Sequence, residues 1–272
     1  MTFVPHHRLV TPGGASKLAF VLHGALGSGQ NFSRFIQRLS AARPEYRYAL
    51  VDLRHHGHST GAPAPNTLAA CAGDLAALSA AIGAEPDVII GHSFGGKVAL
   101  EFARQALAPR LAQVWVLDSL PGVHLTPDDS EITRVIAAVR AVPMPADSRR
   151  AVVEHLAQQS GLSSGLSEWM ATNLKREGER YEWLFDVDAI EALMADYFRV
   201  DLWGFLETPR QSPAIELVVA ERSDRWTAAL RERARALPSE TQVTYRELPN
   251  SGHWVHVDNP DALLAMMREH LA

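Results

Sequence analysis

Val88-Ile89-Ile90-Gly91-His92-Ser93-Phe94-Gly95-Gly96-Lys97 decides how this chain is read. The apolar run Val88 to Ile90 predicts a strand and Lys97 to Gln105 predicts a helix, with Gly-x-Ser-x-Gly between them. That arrangement is a nucleophile elbow, in which small residues two positions either side of a serine let the backbone turn sharply and hold the hydroxyl out. Ser93 is therefore the candidate nucleophile. The five-residue pattern also arises by chance as an ordinary glycine-rich turn, so the flanking strand and helix carry the weight.

A serine hydroxyl is almost wholly protonated at neutral pH and needs a base. The chain has 12 histidines to sort. Thr241 to Leu248 alternates like a last strand, and His253 sits in the loop that follows, where an imidazole can swing onto a serine. His256 is the local rival, three residues further on beside the Asn259-Pro260 start of a terminal helix, Asp261 to Leu271. Two backbone N–H groups must also face the charge that develops on the attacked carbonyl. One should come from Phe94, the residue after the serine. The other has a source in His23-Gly24-Ala25-Leu26-Gly27-Ser28-Gly29, a glycine-rich loop after the buried strand Leu18 to Leu22, and Ala25 is the residue expected to supply it. His23 is expected to brace this loop.

The acid is open between two aspartates. Asp118 closes the apolar run Val114 to Leu117, and Asp224 follows Ile215 to Ala220. A carboxylate that holds the imidazole tautomer can come from either strand end if its reach is right.

Outward from the elbow, strands and helices alternate from Leu18 to about Leu117, with Tyr46 to Val51 a further strand and Thr67 to Ala81 a helix. This rhythm predicts a mostly parallel sheet with helices on both faces. Between Pro121 and Pro213 the chain turns helical, with candidates at Ser130–Val142, Ser148–Gln159, Ser167–Arg176 and Asp188–Leu206. An inserted helical cap over the serine accounts for the interruption, giving a core of 1–120 and 213–272 and a cap of 121–212. Its aromatics, Trp169, Tyr181, Trp183, Phe185, Tyr197, Phe198, Trp203 and Phe205, suit an apolar roof. Most should pack the cap onto the sheet, with two or three at most lining the pocket. The candidate substrate contacts are His23, Leu26, His92, Trp169, Trp183, Trp203 and Trp254.

At 272 residues and 47% hydrophobic, the chain is long enough to bury a large core in one α/β domain. A formal charge of −5 offers no basic footprint for nucleic acid. The single cysteine, Cys71, excludes an internal disulfide and reads as a small core filler. No apolar run approaches the roughly 18 residues of a spanning helix, and the first residues lack a secretory plan, so a cytoplasmic location is expected. His55, His56 and His58 raise a metal reading, since His-x-His can offer two ligands from an extended segment. No cysteine or carboxylate cluster completes a site beside them, and no metal is expected. Asp52 ends a strand ahead of the serine, out of order for the acid, and is expected to tie its own loop through Arg54.

Five blocks together resemble the α/β-hydrolase superfamily: His23-Gly24-x-x-Gly27-Ser28, Asp52 to Ser59, Gly91 to Lys97, Leu117 to Gly122 and Ser251 to His256. More narrowly they are similar to the YbfF-type esterases and the related abhydrolase-domain-containing-11 proteins. Many members of the superfamily place the acid in a Gly-x-x-Asp pattern after the seventh strand. Here Ala220-Glu221-Arg222-Ser223 has serine at that point and Asp224 one place late, a departure this branch also makes. Its acid follows the sixth strand, which the resemblance carries onto Asp118. The resemblance implies a serine hydrolase of acyl esters or thioesters that forms an acyl-enzyme and needs no cofactor. Carbon–carbon bond hydrolysis and perhydrolysis use the same triad, and a triad-bearing ligand receptor with little turnover is the alternative from another class.

Overall fold

The computed structural model describes residues 2–124 and 130–272. Its sheet is built from β1 (His7–Val10), β2 (Lys17–Leu22), β3 (Tyr46–Val51), β4 (Val88–His92), β5 (Gln113–Leu117), β8 (Ala214–Ala220) and β9 (Val243–Leu248), in spatial order β1-β3-β2-β4-β5-β8-β9. Only β1 pairs antiparallel, against β3. Every other neighbour is parallel.

Alternation along the strands decides which helices they bury. In β2, Leu18, Phe20 and Leu22 face one side with Ile89 of β4 and Val114 and Val116 of β5. There they meet α2 (Leu68–Ile82) and α3 (Phe94–Arg104). Ala19 and Val21 face the other side with Ile90, Trp115 and Val218, against Phe35, Ile36 and Leu39 of α1 (Ser33–Ala42) and Leu263 and Met267 of α11 (Pro260–His270). Central strands buried on both faces read as near-continuous apolar runs, which is why their sequences are legible.

Between β5 and β8 lie α4 (Glu131–Ala141), α5 (Arg149–Glu154), α6 (Ser164–Ala171), α7 (Val187–Arg199) and α8 (Trp203–Glu207). They pack on the same side as α2 and α3, sharing one apolar cluster with them. Two expectations need correction here. Ser167–Arg176 is not one helix: α6 stops at Ala171, and β6 (Leu174–Glu177) pairs antiparallel with β7 (Arg180–Trp183) through a two-residue Gly178-Glu179 turn. The Arg-Glu-Gly-Glu-Arg run reads as helix by composition, but glycine at the first turn position is a hairpin signal. Asp188–Leu206 is two helices, broken at residues 200–202, where the Asp201 carboxylate takes the backbone N–H of Trp203 at 2.9 Å. α9 (Ala228–Arg235) and α10 (Val255–Asp258) complete the chain.

Candidate active site

Ser93 stands between β4 and α3 with φ +52° and ψ −118°, a backbone conformation disfavoured for any residue with a side chain. A Cβ at Gly91 would run into the Gly95 carbonyl, and one at Gly95 into the carbonyl of His23. Both obstacles are backbone, so neither residue can be other than glycine while the turn keeps its shape. Asp118 (φ +43°) and Leu26 (φ +58°) are also held in the left-handed region, so strained backbone gathers at the ends of β2, β4 and β5.

Asp118 is fully buried at the end of β5. Its Oδ2 lies 2.8 Å from His253 Nδ1 and accepts the Ser223 hydroxyl at 3.0 Å, while Oδ1 accepts the Ala220 N–H at 3.1 Å. Burial pushes this carboxyl above the usual range, and the Ala220 and Ser223 donors pull it back. Burial holds His253 well below the ordinary imidazole value, and Arg225 pushes it the same way. A neutral imidazole that donates Nδ1–H to Asp118 keeps Nε2 free as an acceptor. His253 and Ser93 open into the same cavity of about 760 Å³.

Asp224 makes no hydrogen bond to the imidazole and acts on it only through space. Its carboxylate is 81% exposed and pairs with Arg225 at 3.0 Å. The one-residue difference matters because Ser223 faces inward beside Asp118 while its successor turns to solvent. His256, the rival base, stacks on Phe32 with ring centroids 4.1 Å apart and stands behind His92. His92 Nε2–H donates to the His253 carbonyl at 2.8 Å, and burial takes His92 down to about 3, so it is a neutral brace for the loop that carries His253.

The loop after β2 is drawn to the start of α3 by the Gly95 N–H, which donates to the His23 carbonyl at 3.1 Å. Ala25 lines the cavity beside Ser93, and Phe94 opens α3, where a helix N-terminus favours negative charge. Among the described residues neither the Ala25 nor the Phe94 N–H donates to another backbone group. His23 braces this loop and does not line the cavity: Nδ1–H donates to the Gly24 carbonyl at 2.7 Å and Nε2 accepts the Leu53 N–H at 2.9 Å.

Of the other expected pocket residues, Leu26, His92, Trp169, Trp203 and Trp254 line the cavity. Trp183 does not. It stacks on Phe185 at 5.0 Å, with the rings 13° from parallel, because the hairpin turns it into the packing of the insertion. Four of the eight aromatics named for the insertion line the cavity, Trp169, Tyr197, Phe198 and Trp203, more than the two or three expected. Asp52 does not pair with Arg54. It accepts the N–H groups of Gly29 and His58 and meets His6, while Arg54 forks onto Asp74 at 2.7 and 3.0 Å. His55, His56 and His58 turn to separate partners, Asn66, the Arg54 carbonyl and the His6 ring.

Sequence patterning does not single out Lys97. It is fully buried, its Nζ donates to the carbonyls of Gly122 at 2.8 Å and Tyr197 at 2.6 Å, and burial lowers it to about 8. It ties α3 to the insertion. The available signal is a lysine in a helical stretch whose neighbours are small or apolar.

The model of the Alpha/beta hydrolase family matches residues 19–266. The chain belongs to the α/β-hydrolase family. It is 30% identical to the sn-1-specific diacylglycerol lipase ABHD11 of Mus musculus over 92% of this chain and 80% of that protein. It is 26% identical to the esterase YbfF of Escherichia coli (strain K12) over 92% of this chain and 91% of that one. A marine microorganism esterase of known structure superposes with a TM-score of 0.82 at 22% identity, over 98% of this chain and all of the other, which establishes the shared fold. The protein is thus an α/β-hydrolase enzyme, and its lipase and esterase relatives support ester hydrolysis. No helix among the described residues is long and apolar enough to cross a membrane.

Proposed function

We propose that the protein is a serine hydrolase that cleaves small-molecule carboxylic esters or acyl thioesters through an acyl-enzyme. Ser93 Oγ attacks the carbonyl carbon and passes its proton to His253 Nε2. Asp118 holds the imidazole tautomer and stabilises the imidazolium. The N–H groups of Phe94 and Ala25 receive the oxyanion. His253 returns the proton to the leaving group, and water releases the acyl group by the reverse sequence. The segment 121–212 acts as the cap on a core of 1–120 and 213–272, and its aromatics seat the acyl chain.

The observation that carries this reading is the buried contact between Asp118 and His253, with the imidazole opening into the cavity that also holds Ser93. The test is hydrolysis of 4-nitrophenyl esters from acetate to palmitate, and of acyl-CoA thioesters, by the native protein and Ser93→Ala. Turnover should fall by about 1,000-fold or more in the variant. A folded native protein with no Ser93-dependent turnover on any of them overturns the proposal in favour of carbon–carbon hydrolysis or a receptor.

A further inference from the structure

The loop after Ile215 to Ala220 brings Ser223 to Asp118 and also delivers a residue to the cavity. Arg225, two residues beyond Ser223, is largely buried, while its neighbour Asp224 lines the same cavity from an exposed position. The Arg225 side chain is 23% exposed and lines the cavity with Ser93 and His253. It makes two single contacts, Nη1 to Asp224 Oδ1 at 3.0 Å and Nη2 to Glu131 Oε2 at 3.2 Å. Neither is a two-pronged fork, and a guanidinium carries five N–H donors, so donors remain for a ligand. The partner carboxylates are 81% and 52% exposed, so a ligand that displaces them returns each to water at little expense. Arg134 lines the same cavity and has no carboxylate partner among the described residues.

The position of this charge is hard to explain for a site that handles only neutral esters. Arg225 acts electrostatically on His253, His92, Asp118 and His124, the groups around the nucleophile. For His253 it opposes the protonation that the reaction requires, and the carboxylate that pairs with it, Asp224, acts in the other sense. As a strut between α4 and the loop after β8, the half-exposed pair with Glu131 contributes little to stability. An anion bound on Arg225 would offset its field at His253 and fix the substrate's orientation together.

We propose that Arg225 is a specificity-determining residue which binds an anionic group, a carboxylate or phosphate, on the substrate beside the scissile ester. Glu131 and Asp224 hold that place until the ligand displaces them. The proposal rests on the ester-hydrolase reading and names the substrate class for that site.

The test compares matched esters. Mono-4-nitrophenyl glutarate against 4-nitrophenyl pentanoate places the charge on the acyl side. The pair 4-carboxyphenyl butanoate and 4-carbamoylphenyl butanoate places it on the leaving group. The native protein should favour the anionic member of at least one pair by about 10- to 100-fold in kcat/KM. Arg225→Gln should abolish that preference while retaining or raising turnover of the uncharged member, because the opposing charge on His253 is gone. Glu131→Gln keeps Arg225 and removes a competitor, so it should strengthen the preference, which decides the matter even if Arg225→Gln fails to fold. Equal rates within both pairs, or a loss in Arg225→Gln that is the same for charged and uncharged esters, overturns the inference and leaves the hydrolase reading standing. If no ester shows Ser93-dependent turnover, the hydrolase reading falls and glutarate binding decides. Glutarate should then raise the Tm of the native protein and fail to raise that of folded Arg225→Gln, and no rise in the native protein overturns the inference.

Discussion

The strand ends around Ser93 and the insertion above them are built by different physics. At the strand ends, position is enforced by backbone: a turn only glycine can make at 91 and 95, an aspartate buried at the close of β5, and a loop pulled in by the His23 carbonyl. In the insertion, short helices and one hairpin are held by aromatic stacking and a buried lysine. The first kind of construction fixes atoms to tenths of an ångström, as acid–base chemistry requires. The second tolerates exchange of side chains, which suits a surface that selects substrates.

The contrast breaks if an exposed group outweighs a buried one at the strand ends. Asp118→Asn should lower kcat by about 1,000-fold or more, through a lost tautomer, with the fold retained. Asp224→Asn should change the turnover of uncharged esters by less than about threefold, since that exposed carboxylate acts on the imidazole only through solvent-screened charge. Steady-state kinetics on a short-chain ester measures both, and the opposite order would reassign the acid.

Acid should attack the rigid region next. His23, His56, His92, His253 and His256 are all lowered below the usual value by burial. Each is neutral when folded and gains a proton on unfolding, so stability is fully present above about pH 6.5 and is lost as pH falls below it toward the folded values. Each histidine contributes up to about 1.4 kcal/mol per pH unit, and Tm measured from pH 7.5 to 5 should drop steeply below 6.5.

The joint between the regions should respond less. Lys97→Met leaves the carbonyls of Gly122 and Tyr197 without their donor and should destabilise the protein by about 2 kcal/mol, read from denaturant unfolding. In the native protein the lowered lysine works in the same direction as the histidines, in a higher pH window. Between its folded value of about 8 and its ordinary value of 10.5 the unfolded chain binds the extra proton, so the contribution of Lys97 to stability rises with pH across that window.

A smaller effect sharpens the picture inside the site. Ser223→Ala removes one donor from Asp118 and should cost about tenfold in kcat, with little change in KM. Because the hydroxyl favours the carboxylate, its loss raises Asp118 and should move the acid limb of kcat/KM to higher pH, with recovery in Ser223→Thr. The smallest effect belongs to the segment between β5 and β8. Trp169→Ala should shift the preferred acyl length by two or so carbons, whereas Trp183→Ala, outside the cavity, should leave it unchanged and lower stability alone.

The central strands, the elbow and the loop after β2 are legible in the amino-acid sequence because their determinants are local. An apolar run, a Gly-x-Ser-x-Gly turn and an alternating strand each need only a few consecutive residues. The insertion is harder to read: Leu174–Glu177 has helical composition, and its pairing with Arg180–Trp183 depends on a turn that propensity alone undervalues. Asp52 and Arg54 sit close in sequence, yet Arg54 pairs with Asp74, on α2, because the loop turns the two side chains apart.

By itself the sequence determined the fold class, the serine on its turn and the histidine after the last strand, since these follow from backbone sterics and chain order. Only the tertiary structure decided which aspartate meets that histidine, which aromatics line the cavity and where Lys97 and Arg225 point. Those outcomes depend on side-chain direction and on which elements pack together, and at a strand end a shift of one residue, as between Ser223 and Asp224, turns a group from buried to solvated.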